Sequence, residues 1–504
     1  MRLSFWSYEN PAFVGICGGA MSLKGAEILL VAPRGDSYIN VLFSVYKRSI
    51  DFTPVTLCTI EKRELSEGAE DKIKEVIENT WKDSPPRLLF IVTTCTAELL
   101  KIDFNAIRAW AEYILMTPVI FIESNSFTET ESEALDRFMA KMVDQLTVHA
   151  LKTKVPSVNL IGPYYFGFHE QSNLEEIHSL LSSLGIEINS IFPWKASLDN
   201  IRHLPAAWAN ISLSPESSMR TLELLKSQFN QPIVKTIPIG ELGIKRFIDE
   251  LAALGLTDGK LKLSDKDMLY GMGSYIGRVN NFAHSVNAEQ LRRRKAFVFG
   301  SFTQAVGVTR FLAEELHFPV VAAGTYSLAL ADRFREELAG IDTEVFITND
   351  FKEVRQRIMD TQPDLILATQ MEKHIAADLN IPSAIISPPI NNEMFPVSFQ
   401  PFVGYRGAAH LADLIFNLLT VGLEDNLKRM FGEDEDDIEE EVPAVLDLKD
   451  DDLIWTPEAL RELKKIPFFV RPIARKSIEE YARAKNERTI TLDLMYEAKE
   501  NAGG

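Results

Sequence analysis

An aspartate stands where a bound ligand could lie, in the segment APRGDSY at residues 32–38. Asp36 follows the apolar run 28–32, which is predicted to be a strand, and it precedes a helix-like stretch. At such a position an aspartate is most often a turn residue or a helix N-cap, and the residues alone favour that interpretation. Alternatively, its carboxylate faces a ligand at the edge of a sheet. It would then be a hard oxygen donor, which is unusual among the thiolates that normally hold iron–sulfur clusters.

Cysteine is scarce in this chain. Cys17, Cys58 and Cys95 are its three cysteines in 504 residues, too few for a disulfide framework and too far apart for a C-x-x-C metal site. Cys95 ends a predicted strand, but a lone buried cysteine usually behaves as a small hydrophobic residue. A metal cluster bound through cysteine would therefore need thiolates from another chain.

Neither the glycines nor the histidines form a site by their spacing. The segment GICGG at residues 15–19 lacks the G-x-G-x-x-G spacing, so a packing or turn role is favoured. No phosphate-binding G-x-x-x-x-G-K-[ST] motif occurs, so ATP used in any reaction would have to bind a separate protein.

The eight histidines include no pair at metal-binding spacing. His374, which follows the predicted strand 365–368, is the most notable single histidine.

Composition excludes several classes of function. The net charge of −19 argues against a nucleic-acid groove, because binding phosphates requires a basic face. The longest apolar runs have the length of strands rather than of membrane helices. The first residues lack the pattern of a signal peptide, so we expect a protein of the cytoplasm or of an organelle stroma.

The elements that must position these residues alternate between strands and helices. Ten short apolar runs, mostly followed by amphipathic segments, are predicted to be buried strands: 28–32, 88–92, 119–122, 157–161, 233–237, 296–299, 320–323, 343–347, 365–368 and 384–386. This alternation predicts parallel sheets with helices on both faces. Ligands of such sheets collect at the carboxyl ends of the strands, which is where Asp36, Cys95 and His374 are expected.

The length of 504 residues predicts about three main domains. We place a first domain at 1–152, a second at 153–285 and a third at 286–432. Residues 433–452 contain the acidic run EDEDDIEEE and are predicted to be a solvated linker, because like charges repel and bury little. Residues 453–504 form a separate small helical piece.

Eight segments spread over nearly the whole chain resemble the B-subunit family of light-independent protochlorophyllide reductases. They are LSFWSYE (3–9), APRGDSY (32–38), DFTPVT (51–56), PSVNLIG (156–162), LPAAW (204–208), TQME (369–372), GLE (422–424) and IPFFVR (466–471). The resemblance implies three Rossmann-like parallel-sheet domains of the nitrogenase component 1 type, followed by a small helical C-terminal domain.

The resemblance also implies an activity. A B-type subunit pairs with an N-type subunit, and two pairs form a heterotetramer. Each pair holds a [4Fe-4S] cluster through three cysteines of N and one aspartate of B, which matches Asp36. A separate L-type iron–sulfur protein hydrolyses ATP and delivers electrons. A ring double bond of protochlorophyllide is reduced to give chlorophyllide, and Gly422 and Leu423 match a substrate contact. The compartment would be the cytoplasm, or the chloroplast stroma for a plastid-encoded chain.

The sequence departs from the family at the catalytic positions. The proton-donating aspartate of the family matches Asn287, and an amide has no proton to give at a useful pKa. Two family histidines near the substrate match Asn391 and Asn417. One hypothesis is an enzyme with another tetrapyrrole substrate, or with another proton source such as Glu289 or a substrate propionate. The other is a non-catalytic carrier or cofactor-assembly scaffold.

Overall fold

The computed structural model of the chain describes residues 7–36, 38–40, 42, 55–95, 102–284, 293–390, 400–431, 453–464, 471–485 and 487–502. The chain divides into two compact units, Met1–Leu419 and Thr420–Gly504. The first unit contains three parallel sheets, and the second contains one two-stranded parallel sheet with helices.

The first sheet has the strand order β2-β1-β3-β4, and every pair is parallel. Its strands are β1 (Ala26–Pro33), β2 (Thr56–Ile60), β3 (Leu88–Thr93) and β4 (Val119–Ile122). Its helices are α1 (Ala12–Met21), α2 (Lys62–Glu67), α3 (Glu70–Trp81), α4 (Phe104–Leu115) and α5 (Glu131–Leu146). Thr130 and Glu133 form a capping box that begins α5. Two apolar clusters, one on each face of the sheet, bury β1 and β3 almost completely.

The second sheet has the order β6-β5-β7-β8, also all parallel. Its strands are β5 (Ser157–Ile161), β6 (Glu187–Phe192), β7 (Ala209–Ser212) and β8 (Ile233–Val234). The helices of this region are α6 (Glu170–Ser183), α7 (Leu198–Arg202), α8 (Met219–Phe229), α9 (Glu241–Ala253), α10 (Asp265–Tyr270) and α11 (Arg278–Ala283). Asp136 of α5 accepts hydrogen bonds from the backbone N–H groups of Arg220 (2.6 Å) and Thr221 (2.9 Å) at the start of α8. This cap joins the first and second sheet regions.

The third sheet has five strands in the order β11-β10-β9-β12-β13. They are β9 (Ala296–Gly300), β10 (Val320–Thr325), β11 (Glu344–Ile347), β12 (Leu365–Ala368) and β13 (Ser383–Ile385). The helices are α12 (Phe302–Arg310), which continues into a π-helical turn at Phe311–Glu315, α13 (Ala331–Glu337), α14 (Phe351–Thr361), α15 (Gln370–Leu379) and the long α16 (Gly404–Phe431).

The second unit is small and mostly helical. It contains β14 (Ile454–Trp455), β15 (Thr489–Ile490), α17 (Pro457–Lys464), α18 (Arg471–Ala484) and α19 (Leu492–Ala502). Its apolar cluster includes Ala459, Leu463, Ile478, Ile490 and Leu494. In the described part of the chain, no helix has the length and apolar character that crossing a bilayer requires.

The predicted fold class is confirmed, since three parallel α/β sheets and a small helical C-terminal unit are present. All ten predicted strands exist, although the run 233–237 yields only the two-residue strand β8. Three described strands of the large sheets were not predicted: β2, β6 and β7. Their burial is mixed or their side chains are polar, so they lack the apolar runs on which the prediction depends. The domain boundaries at 152, 285 and 432 stay predictions.

Candidate functional site

Asp36 lies at the carboxyl edge of the first sheet. Strand β1 ends at Pro33, and the chain then makes a single 3₁₀ turn, Arg34–Asp36, in which Asp36 is half-buried. Tyr38 is close enough for the charge of Asp36 to contribute to raising the pKa of its phenol, although burial is the larger cause. The carboxylate therefore occupies the edge at which parallel sheets bind ligands.

Cys95 lies at the same edge, because β3 pairs directly with β1 and ends beside it. Its Sγ accepts a hydrogen bond from the backbone N–H of Ser126 (3.3 Å) and lies 3.8 Å from Oδ1 of Asn125. The thiol therefore organises the loop that follows β4. Its side chain is intermediate in exposure.

Three buried hydroxyls at this edge, Oγ1 of Thr93, Oγ1 of Thr94 and Oγ of Ser124, have no hydrogen-bond partner among the described residues. A buried polar group left without a partner costs about 1–3 kcal/mol. Among the described residues, these hydroxyls lie next to Asp36 and Cys95 without a partner, and a polar group of another molecule could bind them. The sequence interpretation did not include these hydroxyls, although their positions at strand ends could have indicated them.

Cys17 and Cys58 do not lie at a site. Both are buried, Cys17 in α1 and Cys58 in β2. Burial raises the pKa of the Cys17 thiol far above its ordinary value and that of Cys58 to about 11, so neither is a thiolate at neutral pH. Among the residues that the structure describes, no three His, Cys, Asp or Glu side chains converge to hold a metal ion.

A second polar region lies in the first unit, between residues 8–10 and residues from all three sheet regions. A cavity of about 120 Å³ is lined by carboxyl groups of Glu9, Glu131, Glu170 and Glu216. No lysine, arginine or histidine is among its described lining residues. Burial raises the pKa of Glu9 to about 7, and it also raises the pKa values of Glu131 and Glu216. These carboxyl groups therefore hold their protons to a higher pH than exposed carboxyl groups do.

Residues 7–10, here called the N-terminal clasp, cover this cavity. Oε1 of Glu9 accepts a hydrogen bond from the backbone N–H of Ser132 (3.1 Å). The side-chain amide of Asn10 donates to Glu131 (2.8 Å). The Tyr8 ring stacks on Tyr326, with ring centroids 5.3 Å apart. The clasp thus connects the start of α5 to the third sheet region.

The clasp also changes the interpretation of the segment around His374. His374 is exposed on α15, whereas Glu372 in the same segment is fully buried. Glu372 closes the capping box with Thr369 and accepts a hydrogen bond from the Tyr8 hydroxyl. Histidine chemistry drew attention to His374, but the T-x-x-E spacing at 369–372 is the signal that marks Glu372.

A second, wider cavity of about 610 Å³ lies beside α16. Helices α11 and α16 contribute to its wall through Phe282, His410 and Phe416. Burial lowers the pKa of His410, and its Nε2 has no hydrogen-bond partner among the described residues. Volumes of this size are typical of sites for small organic ligands.

The predicted substrate positions divide between this cavity wall and undescribed segments. Asn417 is an exposed residue of α16, next to Phe416 in the wall. Gly422 and Leu423 belong to the same helix, with side chains outside the described residues. Asn287 and Asn391 also lie outside the described residues. Their segments, 285–292 and 391–399, adjoin in sequence the end of α11 and the cavity residue Gln400.

Comparison with known proteins places the chain in a family. Residues 11–420 match the family described as "Nitrogenase component 1 type Oxidoreductase", and residues 455–499 match "Proto-chlorophyllide reductase 57 kD subunit". The chain is 36% identical to the B subunit of the light-independent protochlorophyllide reductase of Chlorella vulgaris, over 100% of both chains. The chain belongs to the family of light-independent protochlorophyllide reductase B subunits, within the nitrogenase component 1 type oxidoreductases.

Other members of this B-subunit family match the chain with the same identity and nearly the same coverage. The B subunit of Stigeoclonium helveticum is 36% identical over 100% of both chains, and that of Chlorokybus atmophyticus is 36% identical over 99% of both. A solved structure, "Nitrogenase Cp1 at pH 6.5", superposes with a TM-score of 0.69 at 19% identity, covering 87% of this chain and 97% of that one. The predicted membership in the B-subunit family and the predicted nitrogenase component 1 fold are confirmed.

Proposed function

We propose that this chain is the B-type subunit of an ATP-dependent, ferredoxin-fed oxidoreductase that reduces a ring double bond of protochlorophyllide to give chlorophyllide. The observation that carries the proposal is the full-length match to relatives named for this activity, at 36% identity over 100% of both chains. The match includes the C-terminal region at residues 455–499, which fits a family named for the same reductase.

The first role of the chain is to contribute one ligand to a [4Fe-4S] cluster shared with an N-type subunit. Asp36 supports this role, since its carboxylate is half-buried at the carboxyl edge of a parallel sheet, the edge at which such sheets generally bind ligands. The hydroxyls of Thr93, Thr94 and Ser124, which have no partner within the described part of the chain, fit a group completed by a second chain. Neither Cys17 nor Cys58 offers a thiolate. When bound, the cluster supplies the electrons for the reduction, and the oxygen ligand is the chain's own contribution to it.

The second role is to bind and orient the tetrapyrrole. Gly422, Leu423 and Asn417, all on α16, are the proposed contacts, together with Asn391. Asn287 stands at the position of the proton donor, but its amide can only orient or hydrogen-bond the substrate. The proton would therefore come from another group, for which Glu289 and a substrate propionate are the candidates from the sequence.

The proposed assembly has two B and two N subunits, with an L-type iron–sulfur ATPase that docks transiently. A separate ATPase is consistent with the sequence, which contains no phosphate-binding loop. We place the assembly in the cytoplasm, or in the chloroplast stroma for a plastid-encoded chain.

A reconstituted assay tests this function. The full chain is combined with N-type and L-type partners, ATP, a reductant and protochlorophyllide, and chlorophyllide is followed by its absorbance. Turnover by the unaltered chain supports the proposal and shows that the proton comes from a group other than residue 287.

The variant Asn287→Asp separates the remaining outcomes. Turnover only with Asn287→Asp would mean that the fold and electron path are intact but the donor is lost. No turnover by either form, together with tight binding of another tetrapyrrole or of a metallocluster, would contradict the proposal and favour a paralogous enzyme or an assembly scaffold.

A further inference from the structure

Two aromatic side chains are exposed at the edge that carries Asp36. Phe127, in the loop after β4, is 90% exposed, and Tyr38, just beyond the turn after β1, is 39% exposed. Exposing a whole phenylalanine ring to water is unfavourable by about 1.5–3 kcal/mol relative to burying it. A protein partner that covers this ring would recover that free energy.

Both loops are held by consecutive residues of α1. The backbone N–H of Ala12 donates to Oγ of Ser126 (3.2 Å), the residue before Phe127. The next residue, Phe13, packs edge-to-face on Tyr38, with ring centroids 6.1 Å apart. Ala12 and Phe13 are neighbours, so both loops are fixed at the same end of α1. We call Tyr38 and Phe127 together the aromatic edge.

The Phe127 loop has a defined shape. Oδ1 of Asn125 accepts a hydrogen bond from the backbone N–H of Phe127 (3.0 Å). The carbonyl oxygen of Asn125 accepts a second hydrogen bond, from the backbone N–H of Thr128 (3.1 Å). Sγ of Cys95 accepts the N–H of Ser126. The ring of Phe127 is thus presented to solvent by a loop that does not have to order itself on binding, which lowers the entropy cost of association.

The position of Asp36 indicates which partner covers the aromatic edge. Strands β1 and β4 are two positions apart in the sheet, which separates their ends by roughly 10 Å. A chain that brings cysteine thiolates to a cluster at Asp36 must approach this edge. A footprint of ordinary size, about 800 Å² on each partner, would extend well beyond that distance.

We propose that Phe127, with Tyr38 beside it, is the apolar anchor by which the chain docks the cysteine-bearing partner that completes the cluster at Asp36. This inference rests on the proposed function. It also gives Cys95 a role as the residue that shapes the docking loop. The partner face that fits has an apolar socket for one phenyl ring next to its thiolates.

The same sheet offers a matched control at its opposite edge. Tyr113 and Met116, at the end of α4 and just before β4, are 77% and 85% exposed. They resemble Tyr38 and Phe127 in size and apolar character, but they lie at the amino ends of the strands. They should not contact a partner that docks at Asp36.

The experiment uses mass photometry and sedimentation to measure pairing of the full chain with the N-type partner, alongside iron content. Phe127→Ala should weaken pairing about tenfold or more, and Phe127→Glu should weaken it further by placing a charge in an apolar socket. Phe127→Tyr should stay within about threefold of the unaltered chain. Tyr113→Ala and Met116→Ala should leave pairing unchanged. The melting temperature of each unpaired variant shows that it is folded.

Three other outcomes would contradict the proposal that Phe127 anchors the N-type partner. If Phe127→Ala and Phe127→Glu pair normally while Asp36→Ala loses the cluster, the anchor is wrong and the proposed function stands. If the pair forms but two pairs no longer associate, the aromatic edge binds a second copy of this chain instead. If the unaltered chain does not pair with an N-type partner, both proposals fall.

Discussion

The hydroxyl of Tyr8 donates a hydrogen bond to Oε1 of Glu372 at 2.7 Å, although the two residues are 364 positions apart in the chain. Glu372 is fully buried and also caps the start of α15. One bond therefore connects the N-terminal clasp to the third sheet region. Because its acceptor is inaccessible to water, losing the donor leaves a buried carboxyl group with fewer partners.

Tyr8→Phe should lower the free energy of unfolding by about 1–3 kcal/mol, because it removes the hydroxyl but keeps the ring that stacks on Tyr326. Urea denaturation followed by circular dichroism measures the change. Tyr113→Phe is the control, since Tyr113 is 77% exposed and its hydroxyl should contribute little. Equal stability of Tyr8→Phe and the unaltered chain would show that the bond to Glu372 adds nothing.

Stability should fall as the pH rises from about 4.5 to 7. Burial raises the pKa of Glu9 from 4.5 to about 7, so in this range the folded chain binds the proton that the unfolded chain releases. By the linkage relation, the ionisation of Glu9 should lower the free energy of unfolding by about 3 kcal/mol at pH 7. Raised pKa values of Glu131, Glu216 and Glu372 act in the same direction.

Glu9→Gln isolates the contribution of this residue. The amide can still accept the N–H of Ser132 but cannot ionise, so the loss of stability between pH 5 and pH 8 should be smaller in the variant. Urea midpoints at four pH values across that range measure the slope. A slope identical to that of the unaltered chain would mean that Glu9 does not titrate in this interval.

Asp36→Ala should remove or convert the paramagnetic signal of the cluster when the N-type partner is present, because the fourth ligand is lost. Asp36→Cys should retain a cluster with an altered signal, since a thiolate replaces the carboxylate. Electron paramagnetic resonance of the reduced pair is the measurement. Asp83→Ala, at an exposed turn, is the control. An unchanged signal in Asp36→Ala would exclude Asp36 as a ligand.

The pair formed by Arg406 and Glu176 should behave as a coupled unit. The side chain of Glu176 is 1% exposed and that of Arg406 is 39% exposed, and both the guanidinium and the backbone N–H of Arg406 donate to Glu176. Arg406→Met should destabilise the fold by about 2 kcal/mol, because it leaves a buried carboxylate without its cation.

The double variant Arg406→Met with Glu176→Gln tests that explanation. Removing the buried charge should recover a large part of the stability lost in Arg406→Met alone. Urea denaturation of both single variants and of the double variant gives the coupling free energy. Additive losses would mean that the two side chains do not interact energetically.

Local sequence patterns predicted the strands that contain a run of mostly apolar residues. Strand β4 and strand β12 were predicted with their observed bounds. Strand β7 was missed because it has only four residues and two of them are polar. One of these is Asn210, a buried amide whose Oδ1 accepts a hydrogen bond from the side chain of Asn159 in β5. A polar residue becomes compatible with a central strand only when a distant partner satisfies it, and no local pattern shows that partner.

In the candidate site, too, the sequence predicted some positions and not others. Asp36 could be placed from sequence because a strand end fixes which edge of a sheet a residue occupies. The carboxyl groups of Glu9 and Glu131 could not, because their contacts join positions more than 100 residues apart. The exposure of Phe127 could not be predicted either, since it depends on Asn125 and Cys95 holding the loop.

The N-terminal clasp has a consequence for biosynthesis. Tyr8 is translated 364 residues before its acceptor, Glu372. The bond between Tyr8 and Glu372 therefore forms as a late step, after the third sheet region has emerged. A nascent chain arrested before Glu372 would lack the hydrogen bond from Tyr8 beside the carboxyl-lined cavity. Formation of this bond therefore indicates that translation has passed residue 372.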